Sequence, residues 1–292
     1  MSLSSPLSEQ INQILSRLSN DIEGNRLQLP SPPENLVALR KLLQEDADNN
    51  QIADLLSKEP HVSARLIKLA NSVLFGSRAH VSSVKLAVTR LGLQKVNNLV
   101  TGFAITQSFL SLKIKGIEKA LNRIWLTSEH VAGITSTLAR HFSTIDPDKA
   151  LLAGQIHNIG QAPLIIHLNT LPELNEDTEL RNKVIHLVMQ RMSARVGSTI
   201  LKKWSFPDDM VNLPYVSSAP LQPTPRVNIA NLVQLGMLMK SCDFTSPLKA
   251  LPATLLDSPS FALLWQDEAD ALKELNFIAD EILSTQRLLR SM

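Results

Sequence analysis

Asp146-Pro147-Asp148-Lys149-Ala150-Leu151-Leu152-Ala153-Gly154-Gln155-Ile156-His157-Asn158-Ile159-Gly160 is the stretch on which the reading of this chain turns. Asp146-Pro147 is a helix start, a capping carboxylate followed by a first-turn proline. It leads into a helix over Ala150 to His157. Ala150, Ala153, Gly154 and His157 share one face, and small residues at that spacing make a packing face. A histidine followed by aspartate at such a helix end would point to a bound metal. Here the second residue is Asn158, which offers a carbonyl oxygen but no charge to hold a divalent cation. His157 on its own reads as a buried core histidine satisfied by hydrogen bonds rather than as a ligand. One side chain therefore separates a hydrolase from a protein that kept a hydrolase's shape.

The rest of the chain agrees with helix. Of 292 residues, 44% are hydrophobic but only 4% aromatic, and ten are glycine. A Leu-, Ala-, Ile- and Val-rich, glycine-poor chain without alternating β-branched runs predicts an all-α protein. Its length allows one domain or two. No apolar run approaches the roughly 20 residues that span a bilayer. Met1-Ser2-Leu3-Ser4-Ser5-Pro6 lacks the basic start and apolar core of a signal peptide. With a single cysteine, Cys242, no intrachain disulfide forms. A cytoplasmic protein without a membrane segment is expected.

Helical stripes recur along the chain. Ile11, Ile14, Leu15, Leu18 and Ile22 mark a helix over residues 8–22; Leu36, Leu39, Leu42 and Leu43 mark a second. Asp48-Asn49-Asn50 caps a third, which Pro60 closes, and residues 61–71 form a fourth. Ser82-Ser83 caps a fifth that Gly92 stops, and a sixth runs from about Gln94 to Phe109. Residues 117–142 are one long helix or two short ones, and residues 180–204 are helical. Four prolines over 214–225 predict a loop, Val227 to Met239 is helical, and 243–259 reads as a linker. The last helix, at residues 260–290, carries Ala271, Leu272, Leu275, Ile278, Ala279 and Ile282 on one face. That stripe caps the core or forms a dimer, and capping is preferred. A monomer or a homodimer is expected.

Charge is unevenly spread. No carboxylate lies between Glu59 and Glu118, a span that carries Arg65, Lys68, Lys85, Arg90 and Lys95 among its bases. Another carboxylate-free span lies between Glu179 and Asp208. These bases either form a surface for an acidic partner or meet the acids in the fold, and the second is preferred. The two short helices around Pro60 resemble a helix-turn-helix, with Arg65 and Lys68 on the second. A hairpin packing its leucines inward is the preferred reading. One tyrosine in the chain gives no aromatic–basic interleaving for single strands. Nucleic acid is not an expected partner.

Several pieces together resemble the HDOD family, bacterial signal-output domains related to HD and HD-GYP metal-dependent phosphohydrolases. They are Leu29-Pro30, Lys58-Glu59-Pro60, Leu69-Ala70-Asn71-Ser72-Val73-Leu74-Phe75-Gly76, and Val81-Ser82-Ser83-Val84-Lys85-Leu86-Ala87-Val88-Thr89-Arg90-Leu91-Gly92-Leu93. Trp125, the helix ending at His157, and Trp204-Ser205-Phe206-Pro207 complete the set. Order and spacing match over roughly residues 25–240, which leaves residues 1–24 as an N-terminal helix and 241–292 as a C-terminal linker and helix packed on the domain. The resemblance implies an HD-domain-like helical fold with an N-terminal helical subdomain.

A working HD site resembles a cage of histidines and aspartates around one or two divalent ions, which lower the pKa of bound water. By the resemblance, this chain carries His157-Asn158 at the dyad position and Thr127 where active relatives carry a histidine two residues past Trp125. Ser193 stands at another histidine position, and Tyr215-Val216-Ser217-Ser218 follows Pro207 without one. No histidine occurs after His186. The vestigial site is thus His157, Asn158, Thr127 and Ser193, with no catalytic residue assigned and no cofactor expected. His130, beside Glu129, and His157 are the only metal candidates. Asn71, Ser72 and Arg90 form a motif whose side chains either shape a helix end or touch a small ligand, and the former is preferred. The chain reads as a non-catalytic regulatory output protein that binds a signalling protein or small ligand. A metal-dependent phosphohydrolase with an unusual ligand set and a nucleic-acid-associated regulator are the alternatives. No sensor, receiver or nucleotide-cyclase segment is recognisable, so an input is expected from another chain or a ligand.

Overall fold

The computed structural model describes residues 6–24, 26–27, 29–72, 80–110, 114–176, 178–216 and 222–290; among them every regular element is a helix and none a strand. In chain order come α1 (Pro6–Glu23), α2 (Glu34–Gln44), α3 (Asn49–Ser57), α4 (Pro60–Ala70), α5 (Val84–Leu91) and α6 (Leu93–Leu110). Then follow α7 (Glu118–Phe142), α8 (Pro147–Ile156), α9 (Gln161–Leu168), α10 (Glu173–Glu176) and α11 (Thr178–Lys203). The short α12 (Asp208–Val211) and α13 (Leu213–Val216), then α14 (Ile229–Leu238), α15 (Ala253–Leu256) and α16 (Glu268–Arg290), complete the chain. No helix among the described residues is long and apolar enough to cross a membrane. The chain divides into two compact units, each assembled from separated segments. Met1–Ser31, Phe109–Trp125 and His157–Pro220 form the first; Pro32–Ser108, Leu126–Ile156 and Leu221–Met292 form the second.

In the first unit α11 is the central element, with α1, α9, α12 and α13 packed on it. The stripe Ile11, Ile14, Leu15 and Leu18 of α1 is buried, as a 3.6-residue apolar period requires. Arg17 pairs with Glu173 at 2.6 Å, and Arg195 of α11 reaches Glu23 at 3.2 Å. Trp204, just past α11, is 1% exposed. Its indole N–H donates to the Pro30 carbonyl at 3.0 Å, so the tryptophan buries its ring without orphaning its one donor. Gly160 lies so close to α11 that a Cβ there would stand 2.1 Å from the Ser193 carbonyl oxygen and 2.4 Å from the Gly197 nitrogen.

In the second unit local signals set the helix ends. Asp48 and Gln51 form a reciprocal capping box at α3, and the Ser83 hydroxyl accepts from the Leu86 N–H at α5. Gly92, with φ at 82°, ends α5 and starts α6 without an intervening loop. After α4, Asn71 braces the chain. Its amide donates to the Ile67 carbonyl at 3.0 Å and the Val81 carbonyl at 2.7 Å, and its carbonyl accepts from the Val81 N–H at 2.8 Å. Ser72 donates to the Leu69 carbonyl at 2.8 Å, and Arg90 to the Ala70 carbonyl at 3.1 Å. Val73-Leu74-Phe75-Gly76 lies outside the described residues.

Helix α7 is a single helix of 25 residues. Helix α8 approaches it so closely that a Cβ on Gly154 would sit 2.4 Å from the Ala132 Cα. Buried Ala271, Leu275, Ile278 and Ile282 of α16 join one apolar cluster with Ile134 and Leu138 of α7 and Leu232 and Leu235 of α14. This stripe lies inside the core of the unit.

Three readings need correction. Residues 214–216, expected in a loop, belong to α13, because Pro214 sits in a first helical turn where its missing N–H costs nothing; residues 217–221 lie outside the described residues. The 243–259 linker contains the helical turn α15, started after Pro252. The last helix begins at Glu268, and Phe261–Leu263 is a separate 3₁₀ turn. Helix α9 falls where periodicity assigns nothing, because Ala162, Pro163, Leu164, Ile165 and Leu168 bury it on nearly every side.

Two substitutions test these contacts by chemical denaturation. Gly154→Ala and Gly160→Ala each force backbone apart and are expected to cost about 1–3 kcal/mol. Asn71→Ala removes three hydrogen bonds from the joint after α4 and is expected to cost about 2–3 kcal/mol.

Candidate functional site

The turn His157–Gly160 joins α8 to α9, and three of the four residues singled out by the resemblance, His157, Asn158 and Ser193, meet around it in the first unit. His157 is 3% exposed, Asn158 4% and Ser193 7%. The Asn158 amide nitrogen donates to the Ile124 carbonyl at 3.2 Å. An aspartate there could not make this bond, because an ionised carboxylate only accepts. The Ser193 hydroxyl donates back to the Met189 carbonyl within α11, and its own carbonyl faces Gly160. Trp125, beside Ile124, is buried, and its indole N–H has no partner among the described residues. Sequence reasoning named Trp125 as a landmark and missed it as a buried donor. Thr127 belongs to the second unit and is half-buried on α7.

These groups do not fit a divalent metal. The turn offers one imidazole, one amide whose nitrogen is turned to a carbonyl, and one hydroxyl bonded within its own helix. None carries negative charge, whereas hard cations need carboxylates and zinc needs several His, Cys or carboxylate donors. Among the described residues no group of three or more His, Cys, Asp and Glu stands where it could hold an ion.

His130 has a different setting, in the second unit. Its Nδ1 faces the Arg290 guanidinium at 3.4 Å. A guanidinium only donates, so Nδ1 is the acceptor and Nε2 carries the hydrogen. Nε2 is buried without a partner among the described residues. Burial first, then Arg290, holds the imidazole below its ordinary pKa. Burial pushes the neighbouring Glu129 carboxyl up, against the opposing pull of Arg290 and Arg65. A neutral imidazole whose lone pair points at an arginine is poorly placed to ligate a cation.

Several bases of the carboxylate-free spans find partners among the described residues. Arg65 lies over the Phe103 ring at 5.1 Å, within the field of Glu129. Lys95 pairs with Asp148 at 3.1 Å, and Lys85 lies in the field of Asp48. In the first unit Lys183 pairs with Glu179 at 2.6 Å, and Arg181 reaches the Asn169 carbonyl oxygen at 3.5 Å. Helices α3 and α4 bury Leu56, Leu66 and Leu69 in one cluster, the inward-packed hairpin.

Comparison with known proteins places this geometry. A curated relative, an uncharacterized protein of Treponema pallidum (strain Nichols), is 22% identical over 267 residues, covering 86% of this chain. The chain spans about half (50%) of that relative's length. A "Putative metal-dependent phosphohydrolase" from Shewanella amazonensis SB2B has the same fold at a TM-score of 0.79 and 23% identity, with 96% of this chain and 99% of that chain covered. An HDOD domain protein with unknown function from Geobacter sulfurreducens aligns at a TM-score of 0.66 and 20% identity, covering 94% and 99%. The family model of the HDOD domain matches residues 29–220. That span contains the capped α5, the Asn71 brace, the His157–Gly160 turn and Trp204, and by it the chain belongs to the HDOD domain family.

Proposed function

We propose that this chain is a non-catalytic regulatory output protein, acting through a bound signalling protein or small ligand rather than through a reaction. The observation that supports this most is the commitment of Asn158. Its amide is spent on the Ile124 carbonyl, in a turn whose glycine is pressed against α11. A phosphoester hydrolase on this scaffold would need that turn to present negatively charged ligands to an ion and to admit a substrate. Residues 25–240 would form the output domain, with 241–292 completing its core. The alternative, a metal-dependent phosphohydrolase, draws its support from the likeness to the Shewanella protein, which at 23% identity is a likeness of fold.

Metal content and turnover separate the two. The purified chain is expected to hold no stoichiometric divalent metal and to leave an aryl phosphodiester and cyclic dinucleotides unhydrolysed with added Mn²⁺ or Mg²⁺. Metal at one equivalent per chain, with turnover abolished by His157→Ala, would overturn the reading. Asn158→Asp sets a carboxylate against the Ile124 carbonyl. It is expected to destabilise the fold by about 1–3 kcal/mol and to create no metal site.

A further inference from the structure

The second unit carries a cavity of about 500 Å³ between the α5–α6 joint and the start of α8. Small-molecule sites typically enclose roughly 300–1,000 Å³. Gln94, Lys95, Arg140, Asp146 and Asp148 supply its polar lining, and Leu91 part of its apolar wall.

Its charges are arranged by role. Lys95 and Arg140 are the two cations, with side chains 32% and 30% exposed. Arg140 gives Nη1 to Glu281 at 2.7 Å. A guanidinium carries five N–H donors, so it can serve Glu281 and a ligand oxygen together. The two carboxylates differ from each other. Asp148 is 5% exposed and is the ion-pair partner of Lys95 at 3.1 Å. Burial also pushes its carboxyl upward. Asp146 is exposed, and one of its oxygens accepts the Asp148 N–H at 2.9 Å, which leaves the other as an acceptor. Gln94 adds an exposed amide. Two cations, Lys95 paired with Asp148 and Arg140 with Glu281, beside the exposed Asp146 carboxylate suit a ligand with an anionic group at one end and hydroxyl donors at the other.

We propose that this cavity binds a phosphorylated polyol, its phosphate between Lys95 and Arg140 and a hydroxyl donating to Asp146. A sugar phosphate and a nucleoside monophosphate share this ribose-phosphate chemistry. The site would supply the small-ligand input of the proposed regulatory role and rests on that reading for its use. It shares no residue with the His157–Gly160 turn, so ligand binding and the absence of hydrolysis succeed or fail separately.

Calorimetric titration of the full chain tests it with three probes: ribose 5-phosphate, adenosine monophosphate and inorganic phosphate. Ribose 5-phosphate is expected to bind with a Kd of about 1 mM or tighter, and inorganic phosphate more weakly. Tighter binding of adenosine monophosphate would support a nucleotide ligand, and equal binding a sugar phosphate. Gln94→Glu places a like charge beside the phosphate and is expected to weaken binding at least about tenfold. Glutamate is favourable in the first turn of a helix, so its melting temperature should not fall and lost binding would not reflect lost fold. Absence of heat with both organic probes at about 10 mM would overturn the proposal. So would equal affinity of Gln94→Glu and the unmodified chain, or inorganic phosphate binding as tightly as ribose 5-phosphate.

Discussion

Close approach of backbone to backbone at small residues is the constraint on which the rest depends. In the second unit Gly154 rests on Ala132, so α8 lies against α7 with no side chain between them. In the first unit Gly160 meets the Ser193 carbonyl and the Gly197 amide of α11. Five residues separate the two glycines, and the His157–Gly160 turn lies at the end of that interval. Protein interiors are dense enough that one added methyl group is felt. The Gly160 end of the turn is therefore positioned by packing against α11.

Packing also explains what the polar groups of the turn do. A side chain buried in such a place must satisfy its hydrogen-bonding atoms inside the protein. Asn158 does so with an amide donor directed at a carbonyl, and Ser193 does so within its own helix. Both solutions suit neutral side chains. An ionised carboxylate in place of the Asn158 amide would be a buried charge facing a carbonyl, which is costly. Asn158 and Ser193 are thus integrated into the core of the first unit as structural polar groups.

Much of this was legible in the chain. Capping residues announced α3 and α5 where the structure has them, since Asp48 and Ser83 act on amides two or three residues away. The amphipathic stripes of α1 and α16 were legible for a similar reason: each has one wet face. Helix α9 was not, because a helix buried on most sides carries no period to read. Residues 214–216 were misread because proline counts against a helix interior but not against a first turn. At the candidate site the loss of charge at Asn158 was visible, but its Ile124 partner, 34 residues away, was not.

The amino-acid sequence by itself determined the helical class and most helix boundaries. These depend on residue type and on neighbours within one or two helical turns. Only the tertiary structure decided where the charges go. Two long spans without a carboxylate left open where their bases would find partners; Lys95 finds Asp148, Arg65 finds Phe103 and the field of Glu129, and Arg195 finds Glu23. It also turned His130 toward Arg290 and gathered Lys95, Arg140 and Asp146 around one cavity. Electrostatic pairing depends on distance in space, and sequence separation carries almost none of that information.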